Sequence, residues 1–112
     1  MKQMNDDRSA VLSELCEKVR HLIREGNYVA CTMSISAAMK EYPHAPQPHN
    51  LMGILLEAEG NHSGAMKHFR AAWALDPTYL PSRVNLNRYG SFFHQGPSAF
   101  DEKDCMTNDQ ST

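Results

Sequence analysis

A chain of 112 residues, 41% hydrophobic and 21% charged, has room for one small domain or a few units of a repeat array. Its net charge of −2 lacks the basic footprint of a nucleic-acid binder and gives no pull toward anionic membranes. No apolar run approaches the roughly 20 residues that cross a bilayer, and the N-terminus lacks the apolar core of a signal peptide, so a cytoplasmic location is expected.

Residues 1–8 are polar and read as a flexible N-terminus, after which a domain over 9–93 is expected. From Ser9, Val11, Leu12, Leu15, Val19, Leu22 and Ile23 recur at spacings of three and four, which puts them on one helical face. Gly26 can take the left-handed conformation that ends a helix. A second helix runs from after Asn27 to about Glu41, and its Ala30, Cys31, Ser34, Ala37 and Ala38 allow close helix approach. Tyr42-Pro43 stops it, because proline disfavours helical geometry before it and cannot extend the ladder.

The third helix, about 47–59, is apolar over a wide arc (Leu51, Met52, Ile54, Leu55, Leu56), as suits the centre of a stack. After Gly60-Asn61 a fourth helix over 62–75 presents Ala65, Met66, Phe69, Ala72, Trp73 and Leu75, and Asp76-Pro77 ends it. A fifth, over about 79–90, presents Leu80, Val84 and Leu86. Residues 94–112 are polar and expected to be disordered. Cys16, Cys31 and Cys105 are widely spaced and read as reduced thiols.

Residues 12–45 repeat in 46–79. At an offset of 34, Leu22 meets Leu56, Glu25-Gly26-Asn27 meets Glu59-Gly60-Asn61, Ala37-Ala38 meets Ala71-Ala72, and Pro43 meets Pro77. The second window also carries Met52-Gly53, Leu56, Gly60, Ala65, Phe69, Ala72 and Pro77 in the spacing of a tetratricopeptide unit, whose period is 34 residues. The chain therefore resembles the tetratricopeptide family over residues 12 to about 90. His49 stands where that pattern has a large apolar residue, and Lys18-Val19 where the first window should have Leu-Gly.

The resemblance implies an all-α, tetratricopeptide-like α-solenoid of two helix–turn–helix repeats (about 12–45 and 46–79) plus a C-terminal capping helix (about 79–90). Gly53 and Ala65 should face each other where helices cross, with Phe69 and Trp73 filling the space between neighbouring repeats. Met33, Met39, Met52 and Met66 read as packing residues. Two repeats and a cap are fewer than stacked units normally need, so modest stability alone, homodimerisation or support from a partner is expected.

By the same resemblance the leading helices line a concave groove for a peptide or helix. Its positions are Ser13, Cys16, Arg20, Ile23 and Arg24; Gln47, Asn50, Ile54, Glu57 and Ala58; and Pro81, Val84, Asn85 and Arg88. Of these, Arg20, Arg24, Asn50, Ile54, Glu57, Asn85 and Arg88 are the groove residues singled out. The arginines suit an acidic partner, and the asparagines suit an extended backbone. The family's two-carboxylate clamp for chaperone tails maps onto Cys16, Arg20, Leu51, Pro81 and Asn85, where at most one keeps the required charge, so that ligand is not expected.

Neither catalysis nor a cofactor is expected. The histidines show no zinc-ligand spacing. Gly60-Asn61-His62-Ser63-Gly64 is a hinge, since its serine is one place too late for a nucleophile elbow. Cys16 near Arg20 reads either as a thiol of lowered pKa or as an inert buried one. The function expected is a protein-interaction adaptor or assembly subunit. Tyr89, Phe92 and Phe93 read as an exposed apolar end, and the alternative is an oligomerising or regulatory subunit of an enzyme complex, acting through the Trp73 and Phe92-Phe93 end.

Overall fold

Five helices follow one another: α1 (Lys2–Arg24), α2 (Tyr28–Glu41), α3 (Pro46–Ala58), α4 (His62–Leu75) and α5 (Leu80–Gly90). The structure, a computed structural model, describes residues 2–90 and 96–105, with the backbone alone for 2–7. Among the described residues there is no strand, and the fold is all-helical. Residues 96–101 run without regular structure into a helical turn over 102–105. No described helix is long and apolar enough to cross a membrane.

The two hairpin turns are made the same way. Gly26 and Gly60 sit at φ 76° and 85°, which a side chain rarely tolerates. That conformation turns the chain so that Asn27 N–H donates to Leu22 O and Asn61 N–H to Leu56 O, both at 2.8 Å. The glycine amides close the inner bonds to Ile23 O and Glu57 O at 3.0 Å, which completes the Schellman stop. Each asparagine then caps the next helix, Asn27 Oδ1 accepting from Ala30 N–H and Asn61 Oδ1 from Gly64 N–H.

Consecutive helices pack together, and α3 also touches both α1 and α5, so the odd-numbered helices adjoin along one side. The core joins Cys16 and Val19 of α1, Cys31 and Ile35 of α2, Leu51, Ile54 and Leu55 of α3, and Ala65, Met66 and Phe69 of α4. A Cβ at Gly53 would lie 2.4 Å from the Phe69 ring, so the ring occupies the space that the glycine leaves. Phe69 in turn stacks on Tyr89 of α5 at 5.9 Å.

Several expectations are corrected here. Helix α1 begins at Lys2, not after a flexible 1–8 segment, since no proline or glycine before Gly26 interrupts the ladder. Trp73 is 45% exposed; it lies one position, about 100°, past Ala72 and off the buried stripe of α4. Met33 is 68% exposed, on the face of α2 turned away from Cys31 and Ile35. The polar tail expected to be disordered from residue 94 is instead packed on the helices over 96–105, where Ala99, Phe100 and Cys105 are buried. Phe92, Phe93 and His94 lie outside the described residues.

Candidate functional site

The face shared by α1, α3 and α5 is filled by residues 97–104 of the same chain. Asn50, in the first half of α3, and Asn85, in the middle of α5, are both fully buried there. Asn85 holds both backbone groups of Ala99: its Oδ1 accepts from Ala99 N–H at 2.8 Å, and its Nδ2 donates to Ala99 O at 2.9 Å. Asn50 Nδ2 donates to the same carbonyl at 3.0 Å, and Asn50 Oδ1 accepts from Asn85 Nδ2 at 2.9 Å. The two amides form one closed network on the backbone of a single residue. An unpaired polar group at such depth would be costly.

Arg20 supplies the charge. It is only 8% exposed, and its Nη1 donates to Asp104 Oδ2 at 2.8 Å and Oδ1 at 3.0 Å. Its Nη2 donates to Asp101 Oδ2 at 3.0 Å, and its Cζ lies 5.0 Å from the Phe100 ring centroid. Burial pulls the guanidinium pKa down, but hydrogen-bonded Asp104, with Asp101 and Glu17, more than offsets this and leaves it raised.

The tail organises its own acids. Asp101 Oδ1 accepts from Lys103 N–H at 3.1 Å, capping the turn over 102–105, and Asp104 Oδ2 accepts from Phe100 N–H at 2.8 Å. Both carboxylates thereby meet one guanidinium. At the groove rim Lys103 pairs with Glu17 at 3.0 Å.

Each of the other singled-out residues has a place. Ile54 is buried, and with Glu57, Ile23, Ala58, Tyr89 and the tail's Phe100 it lines a recess. Arg88 donates to Pro97 O. Arg24 is exposed one turn beyond Arg20 and has no partner among the described residues. Glu57 also meets His62 at 2.6 Å. Tyr89 reads in the sequence as an exposed apolar end, yet its hydroxyl meets that of Ser98.

Two further pairs lie outside what spacing reveals. Cys16 and Tyr79 are buried together, and burial first, then Asp101, pushes the Cys16 thiol up to about 12. The alternative of a lowered pKa beside Arg20 is thus overturned: desolvation outweighs the cation, and the thiol stays protonated at neutral pH. Tyr79 is likewise raised, by burial above all. On the other side of α3, His49 and His68 stack at 5.3 Å with their Nδ1 atoms 3.1 Å apart. Burial holds both pKa values below the ordinary histidine value, and His49 adds to the effect on His68.

Compared with family models, with curated proteins and with solved structures, the chain finds no match. The chemistry of the groove therefore carries the functional argument. It takes both backbone hydrogen-bonding groups of one residue through amide side chains, an aromatic ring through the apolar cluster around Ile54, and two carboxylates through one buried guanidinium.

Proposed function

We propose that this chain is a non-catalytic, tetratricopeptide-like interaction module. In this reading it is a cytoplasmic adaptor or assembly subunit whose α1–α3–α5 groove holds an extended acidic segment of another protein. The family assignment is supported by the 34-residue correspondence of hinge and cap residues, Gly26 with Gly60 and Asn27 with Asn61, and by the close Gly53–Phe69 approach in the second hairpin. The function is carried by one observation. Asn50, Asn85 and Arg20 together hold both backbone groups of one residue and its neighbouring carboxylates. Extended peptides are recognised in this manner, with backbone bonds supplying affinity and side-chain sites supplying specificity.

The test uses the full chain with a photo-cross-linking amino acid at Arg24, on the groove flank, or at Trp73, on the exposed flank of α4. In lysate from the source cells, position 24 should give a discrete protein adduct, and adding Arg20→Glu should remove it. Adducts from position 73 alone, insensitive to Arg20→Glu, would move the binding surface to the α4 flank and overturn the groove reading.

A further inference from the structure

Residues 97–104 satisfy the groove with chemistry that any similar segment could supply. The two asparagines bind only backbone at Ala99, so they impose no sequence beyond a small side chain, as Ala99 is fully buried. Sequence enters through Phe100, which is buried in the core cluster with Ile54 and lies beside the Arg20 guanidinium. It enters again through Asp101 and Asp104, which share Arg20. What the groove reads is therefore a small residue, an aromatic, an aspartate and a second aspartate three positions on.

We propose that the groove's partner is a segment of another protein carrying this small–aromatic–Asp–x–x–Asp pattern. Residues 97–104 are its intramolecular stand-in and must be displaced. The proposal rests on the reading of the groove as an interaction surface. A tethered segment acts at an effective concentration on the order of millimolar. A micromolar competitor making only the same contacts is then disadvantaged by roughly a thousandfold, because apparent affinity scales with the open fraction. That argues against the tail of a second copy, which offers identical contacts from dilute solution. Arg24 gives a foreign segment something the tail leaves unused: an exposed cation one turn from Arg20, unpaired among the described residues.

The probe is a fluorescein-labelled peptide with the sequence of residues 96–105, read by fluorescence polarisation against the full-length chain. The Phe100→Ala/Asp104→Asn double variant, which weakens its own tail, should bind the peptide at least tenfold more tightly than the wild type does. A peptide with alanine for its phenylalanine, or asparagine for both aspartates, should bind at least tenfold more weakly. Adding Arg20→Glu to the double variant should abolish binding. Equal affinity for wild type and double variant overturns the proposal. So does a wild-type dimer in light scattering that dissociates in the double variant, which would assign the groove to a second copy's tail.

Hydrogen exchange on the wild type tests the same point without depending on the variant's folding. The amides of Ala99, Phe100 and Lys103 should exchange at least tenfold faster than those of Leu55 and Phe69. Equal protection means that the tail opens only when the whole fold does, and the proposal fails. If the peptide fails while position 24 still cross-links a partner, only the pattern falls; if both fail, the groove reading falls with it.

Discussion

In α1–α2 and in α3–α4 the turn is built alike, but the crossing is not. Gly26 and Gly60 both take positive φ, and the two bonds that close each helix end have the same lengths, 3.0 and 2.8 Å. At the crossing, Val19, Cys31 and Ile35 of the first hairpin stand where the second has Gly53, Ala65 and Phe69, all of them buried. The volumes are exchanged in compensation. The second hairpin gives up a side chain at Gly53 and refills the space with the larger ring of Phe69. Turn geometry is thus a local property of two residues, whereas the crossing is a property of a pair on different helices. Neither member of the pair can be changed alone.

The sharpest way to break the comparison is Gly53→Val, which puts the first hairpin's residue into the second. Its side chain would start 2.4 Å from Phe69, and overpacking of this kind costs about 3 kcal/mol. Thermal unfolding should fall by roughly 10–20 °C for a domain of this size. Adding Phe69→Ile should recover at least about 1 kcal/mol relative to the sum of the single changes, because the two sites share one volume. A small loss for the single variant, or strict additivity, would show that the crossing is not set by this pair.

Next in size is Arg20→Ile, which again copies the second hairpin, where Ile54 holds the equivalent place. Removing one partner of a fully buried ion pair costs about 3–5 kcal/mol. Asp101 and Asp104 keep 20% and 22% of their side-chain surface exposed, so about 2 kcal/mol is expected after allowing for solvent screening. Denaturant unfolding should show it, and the loss should shrink when Asp104→Ala is already present. Lys103→Ala, which removes an exposed pair with Glu17, should change nothing measurable.

Much of this architecture is legible in the sequence, because its signals are local. The glycine–asparagine hinges, the proline stops and the buried stripes follow from dihedral preference and the 3.6-residue period. Arg20, Asn50, Ile54 and Asn85, positions that the resemblance assigns to the leading helices, lie together on the face shared by α1, α3 and α5. What periodicity cannot tell is whether a flank will be covered, hence the exposed Trp73 and Met33. Composition also misjudges residues 96–105. A polar average hides that Ala99, Phe100, Asp101 and Asp104 each have a specific mate on the helices. Of the two readings of the Cys16 thiol the inert, buried one holds for a related reason: burial is a tertiary quantity, while its neighbour Arg20 is a sequence one.

The equivalence of the turns can be sharpened by changing each alike. Nothing lies within 4 Å of a Cβ at Gly26 or Gly60, so Gly→Ala at either tests backbone strain alone. Each should cost about 1–2 kcal/mol, and the two losses should agree within roughly 0.5 kcal/mol. The caps should differ slightly. Asn61 accepts at 2.9 Å from Gly64, whereas Asn27 accepts at 3.3 Å from Ala30. A Cβ at Gly64 would crowd the Asn61 side chain to 2.9 Å, and Ala30 carries that Cβ. Losing a cap costs about 1 kcal/mol, so chemical denaturation should show Asn61→Ala more damaging than Asn27→Ala.

The smallest measurable effect concerns a contact that only the second hairpin has. His49 and His68 correspond to Leu15 and Ser34 of the first, so no ring pair exists there. With Nδ1 atoms 3.1 Å apart, one imidazole must donate and the other accept, so the contact needs at least one neutral ring. Burial lowers both pKa values, and His49 lowers His68 further. The folded state therefore binds fewer protons than the unfolded chain once the pH drops below the ordinary histidine value of 6.5. Stability from this pair is complete above that value and is lost as the pH falls through the depressed folded values. Melting temperatures between pH 7.5 and 5 should decline for the wild type and decline less for His49→Leu, which restores the apolar residue of the first hairpin. Parallel slopes for the two proteins would place the acid sensitivity elsewhere.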